Sequence, residues 1–159
     1  KAATSLFSAA NHGKFKELDL RGTKLGDREA ALLADFLVAN KELETLKIDN
    51  CGLSSKAVTD IAAALKAPKV SLRFLHIAYN PMGDDGAMAI AKAIITLPVD
   101  TALSEVFIRD TSIAYAGRQA LRKADMYGKV DMYDNRRENN RRAWKEEPAG
   151  DAKSAADEL

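Results

Sequence analysis

At 159 residues, 47% hydrophobic and 30% charged, the chain has the size of one domain, the composition of ordinary globular proteins and enough apolar material for a continuous core. Its formal charge of +1 excludes a whole-chain field for nucleic acid or an anionic membrane, so any such role would rest on a local patch. The single cysteine, Cys51, excludes an intrachain disulfide and favours a reducing, intracellular compartment; no apolar run approaches the roughly 18 residues of a membrane span.

The chain opens at Lys1 with no secretory pattern, as expected of a processed form or a piece of something longer; removal of a mitochondrial presequence would leave the same start. Within residues 1–14, the stretch Ala2 to Ala10 reads as the last helix of a preceding repeat or an N-terminal cap.

From Phe15 onward one unit recurs, beginning again at Leu43, Leu72 and Leu103, with spacings of 28, 29 and 31 residues. Three residues into each unit stand Leu18, Leu46, Leu75 and Val106; five residues in stand Leu20, Ile48, Ile77 and Ile108. This period of two predicts a short strand with one buried face. Ten residues in come Leu25, Leu53, Met82 and Ile113, after which the period becomes helical. Leu33/Leu37, Ile61/Leu65 and Ile90/Ile94 mark the buried stripe, with Leu121/Asp125 in the fourth unit. Small or apolar neighbours, Ala34/Phe36, Ala62/Ala64 and Ala91/Ala93, predict close approach of the helix to what lies beneath it.

Eight residues into each unit sit Thr23, Cys51, Asn80 and Thr111, where a side chain can bond backbone turning out of the strand. The third unit reads LxxLxIxxNxM from Leu72 to Met82, followed by Gly83-Asp84-Asp85-Gly86 and a helix. This pattern resembles the ribonuclease-inhibitor-like class of leucine-rich repeat. Tyr127, Val130, Met132 and Asn135 repeat the strand half of the unit and predict a closing fifth strand. The expected architecture is a curved α/β solenoid, with about five parallel strands on the concave face and four or five helices on the convex face. Three segments are expected: a cap at 1–14, the repeat array at 15–135 and a charged tail at 136–159.

Strand residues between the buried positions face the concave side, where repeat proteins bind partners. They form three columns: Glu17, Thr45, Phe74, Glu105, Lys129; then Asp19, Lys47, His76, Phe107, Asp131; then Arg21, Asp49, Ala78, Arg109, Tyr133. The candidate protein-binding residues are Asp19, Arg21, Lys47, Asp49, Phe74, His76, Phe107, Arg109 and Tyr133. Phe74 and Phe107 read either as interface anchors among charges or as rings packed on each other and on His76. The alternating charges read either as partner contacts or as neighbouring strands pairing Asp19 with Lys47 and Asp49 with the arginines.

No constellation suggests catalysis. His76 has Lys47 and Phe107 as column neighbours, with no nucleophile or orienting carboxylate. No cluster has metal-ligand spacing, Gly22, Gly26 and Gly83 fall in repeat turns rather than a phosphate loop, and Cys51 sits at the structural turn position. No cofactor, metal or small-molecule substrate is expected.

In the tail, Arg136, Arg137, Arg141, Arg142 and Lys145 surround Trp144, and an acidic end follows, broken by Pro148 and Gly150. Such a segment buries too little apolar surface to fold alone. Trp144 is expected to dock on a neighbouring protein while the arginines pair with carboxylates or phosphates. RNA is the weaker candidate. The leading functional expectation is a non-catalytic interaction scaffold, an accessory or structural subunit of a larger intracellular assembly, cytoplasmic, cytoskeletal or mitochondrial. The alternative is a regulatory module. The repeat type resembles that of Ran GTPase-activating proteins, although here the tail is basic before it is acidic. Ala39-Asn40-Lys41 with Leu43 to Asn50 resembles the repeat domain of the tropomodulins, whose additional actin-binding segments have no counterpart in this sequence.

Overall fold

The computed structural model describes residues 15–98, 101–109, 112–125 and 128–131. They alternate strand and helix: β1 (Glu17–Asp19), α1 (Asp27–Ala39), β2 (Thr45–Lys47), α2 (Ser55–Leu65), β3 (Phe74–His76), α3 (Gly83–Thr96), β4 (Glu105–Phe107), α4 (Tyr115–Asp125) and β5 (Val130–Asp131). All five strands are parallel and lie in sequence order in one sheet. The expected cap at 1–14, and Thr111, Tyr127, Met132, Asn135 and the whole tail, lie outside the described residues.

Register is set by the three-residue offset. Leu18, Leu46, Leu75, Val106 and Val130 are successive partners across the sheet. From Leu46 to Val106 they are fully buried, as are Ile48, Ile77, Leu53 and Met82, while the flanking Leu18 and Leu20 are half-buried. The helices lay Leu33, Leu37, Ile61, Ile90 and Leu121 onto the same core. Phe15, in the position that Leu43, Leu72 and Leu103 bury, stays 48% exposed, because among the described residues no strand lies outside β1. Parallel strands sit about 4.8 Å apart whereas packed helices need roughly 8–10 Å. One strand and one helix per repeat therefore bend the array, with the sheet inside.

Small residues limit that bend. In α4, a Cβ added at Gly117 would stand 2.7 Å from Asp84 Oδ1 and Ile113 Cγ2 and 2.9 Å from the Ala87 methyl, so only glycine lets α4 lie this close to α3. The same two repeats are tied at their helix starts, where the Ala114 amide donates to Asp84 Oδ1 at 2.7 Å. Two junctions earlier, the Ser54 hydroxyl donates to Asp27 at 2.5 Å and accepts from the Ala57 amide, capping α2.

The turns are stacked by the eight-residue offset. Asn80 is the one buried polar residue among the described residues, and both ends of its amide are used. Its oxygen accepts from the amides of Cys51 (2.9 Å) and Leu53 (3.1 Å) in the preceding repeat; its nitrogen donates to the carbonyls of Ile48, Ile77 and Ala78. Cys51 continues the ladder, its thiol donating to the Leu20 carbonyl at 3.1 Å. Burial raises that thiol's pKa above its ordinary value, which keeps it protonated as a donor. Thr23, at the same offset, is exposed.

Asn80→Ala strands two buried amide donors and should cost about 3 kcal/mol, seen as a fall in Tm of roughly 10 °C, whereas Thr23→Ala should change stability by less than about 0.5 kcal/mol. Equal effects in thermal unfolding would refute the ladder. Gly117→Ala should destabilise by about 1–3 kcal/mol even though alanine is the better helix former, because α4 must back away from α3.

Candidate protein-binding face

Because side chains alternate along a strand, residues flanking the buried column stand on the open side of the sheet. The register places Glu17, Thr45, Phe74 and Glu105 in one row and Asp19, Lys47, His76, Phe107 and Asp131 in the next. Beyond the strand ends follow Arg21, Asp49, Ala78 and Arg109. Hydrogen bonds from the Gly22 amide to the Asp49 carbonyl, from Asn50 to Ala78 and from Tyr79 to Arg109 carry the stacking past the strands. Eight of the nine concave residues expected from the sequence thus share one face; Tyr133 lies outside the described residues, as do Arg136, Arg137, Arg141, Arg142 and Trp144.

The aromatic residues separate. Phe107 stacks on His76, with ring centroids 4.2 Å apart and planes inclined by 14°. Phe74 instead carries the Arg73 guanidinium over its ring at 5.4 Å. Both phenylalanines remain half-buried. Burial under Phe107 lowers the His76 pKa below its ordinary value, outweighing the nearby Asp49 carboxylate, and keeps the imidazole neutral around pH 7.

The charges pair differently from the cross-strand expectation. Asp19 turns to Arg21 of its own chain segment, accepting from the Nε at 2.9 Å and from the Nη2 at 2.6 Å, and this fork lowers the carboxyl pKa to about 2. Lys47 passes over Asp19 to reach Glu17 at 2.5 Å. Asp49 accepts from the Ala78 amide at 2.8 Å, so its carboxylate holds the turn rather than an arginine. A guanidinium two residues along the same chain meets Asp19 at a smaller entropic cost than a long side chain reaching across the sheet.

Two features of this face fall outside the hydrophobic periodicity. One is a rung just before the strands, where Glu44 pairs with Lys16 at 3.0 Å and with Arg73 at 3.7 Å, linking three repeats. The other is Tyr79, 47% exposed and in the left-handed region at φ 59, where the other repeats place Gly22 and Asn50. A bulky side chain held there costs about 1–3 kcal/mol, a strain that concentrates at functional surfaces. The signal available was an aromatic at an offset that otherwise carries glycine, asparagine or aspartate.

Among the described residues, no group of three or more His, Cys, Asp or Glu side chains is placed to hold a metal ion, and no helix is long and apolar enough to cross a membrane. What the face offers chemically is a mixed-charge surface with rings at its centre.

Residues 70–91 match the family model described as Leucine Rich repeat. Mouse ribonuclease inhibitor is 33% identical over 107 residues, which are 67% of this chain and 23% of that protein. Mouse NACHT, LRR and PYD domains-containing protein 12 is 38% identical over 80 residues, 50% of this chain and 8% of that protein. The chain thus spans less than a quarter of the length of the curated relatives it matches. Among solved structures, Leiomodin-1 Actin-Binding Site 2 superposes with a TM-score of 0.67 at 16% identity, covering 91% of this chain and 84% of that one, a likeness of fold. Register, ladder and relatives agree: the chain is a leucine-rich-repeat protein of the ribonuclease-inhibitor-like class.

Proposed function

We propose that the chain is a non-catalytic protein-binding scaffold that docks another protein subunit on its concave face. The observation that carries this reading is the in-register display of half-buried rings and charges on one side of a sheet whose other side is the core. Phe74, His76, Phe107 and Tyr79 supply desolvatable area; Asp19, Arg21, Lys47, Asp49 and Arg109 supply orientation and on-rate. The array is taken as 15–135, with 1–14 as its cap. Tyr133, Trp144 and the tail arginines Arg136, Arg137, Arg141 and Arg142 are taken as further contacts for the same partner. The reduced, buried Cys51 supports an intracellular setting, and the scaffold acts there as an accessory subunit of a larger assembly.

A second reading is supported by the Leiomodin-1 Actin-Binding Site 2 likeness: an actin-binding repeat domain. The two separate in simple assays. Under the leading reading the purified chain leaves actin-end kinetics unchanged and co-migrates with a large complex in native lysate. Sedimentation with actin at low micromolar affinity would favour the second.

Phe74→Ala combined with Phe107→Ala should weaken incorporation into that complex at least about tenfold, with Tm lowered only modestly because neither ring belongs to the core. Recovery of the complex at wild-type level by size fractionation of native lysate would count against the concave face.

A further inference from the structure

The convex side carries a groove that neither the ladder nor the concave face accounts for. It lies between α3 and α4, about 390 Å³ in volume, lined by Met88, Ile95, Ala116 and Ala120 with Lys92 and Lys123 alongside. Met88 and Ile95 are each 40% exposed. The corresponding places in the first two repeats hold Ala31 and Val38, then Thr59 and Lys66, so a broad apolar floor beside two ammonium groups belongs to this junction. Neither Lys92 nor Lys123 forms an ion pair among the described residues. An occupant that fits has one large apolar anchor followed closely by carboxylates.

We propose that the groove is occupied by the chain's own C-terminal segment, with Trp144 against Met88 and Ile95 and with Glu146 and Glu147 meeting Lys92 and Lys123. The segment has the required order: the chain's one tryptophan, then two glutamates two and three residues later. It also has the reach. Because all strands are parallel, β5 delivers the chain at the edge where the helices begin, the edge at which Ala116 opens the groove. From Asp131 to Trp144, 13 residues extend to about 43 Å at most, against on the order of 15–20 Å for a sheet backed by a helix. Tethering supplies an effective concentration in the millimolar range, so a weak contact suffices to close it. In this arrangement Trp144 meets a surface of its own chain, where the sequence alone pointed to a neighbouring protein.

Trp144 is its own reporter. In the full chain its fluorescence should be blue-shifted and shielded from acrylamide relative to a peptide of residues 140–159. Ile95→Glu with Met88→Glu should move emission to the peptide's value while far-UV circular dichroism stays unchanged, since both side chains are surface residues. Lys92→Glu with Lys123→Glu should weaken closure by up to about fivefold per lost pair, and adding Glu146→Lys with Glu147→Lys should restore it. Peptide-like emission in the wild type, or emission indifferent to the groove substitutions, would overturn the proposal. So would a blue shift that fades on dilution together with dimers in light scattering, because the groove would then hold a second copy.

Discussion

No repeat in this protein can hide its own apolar side. Each contributes one three-residue strand and one helix, too little to enclose a core, and the column from Leu18 to Val130 is driest at its inner positions, with Val130 at 6% and Leu18 only half-buried. The inner repeats show this directly: Leu46 and Leu75 are fully buried, whereas Leu18 on the sheet's first strand is not. Everything else follows from stacking. The Asn80 and Cys51 ladder settles backbone groups that leave the sheet at the turns joining the first three repeats, and the alanines and Gly117 let helices keep pace with strands half as far apart.

Stacking also produces the proposed binding surface. Once hydrophobic residues at two offsets are committed to the core, the residues between them face the open side of the sheet in rows. The face is therefore assembled from positions far apart in sequence. Glu44 touches Lys16 and Arg73 from the adjoining repeats, and His76 meets Phe107 from the next. Self-pairing of this kind limits the entropy lost when a partner arrives, since Phe107 and the Asp19–Arg21 fork are already held.

Much of this was legible from periodicity. The strand register, the buried stripe of each helix and the special character of Cys51 and Asn80 all repeat at fixed offsets, and a repeat is a signal that composition cannot mask. What was not legible were choices a long side chain makes between two acceptable neighbours. Lys47 takes Glu17 over Asp19, and Asp49 takes a backbone amide over an arginine, because reach and desolvation decide at the scale of an ångström. Tyr79 and the α3–α4 groove were missed for another reason: each departs from the repeat, and attention to what recurs passes over what does not.

The stacking constraint is tested most directly by nuclear magnetic resonance on methyl-labelled protein. Cross-repeat contacts should connect Leu46 to Leu75 and Leu75 to Val106, and the amides of Cys51 and Leu53 should be among the slowest to exchange with solvent. Methyl contacts confined within single repeats, with those two amides exchanging as fast as surface loops, would contradict the account.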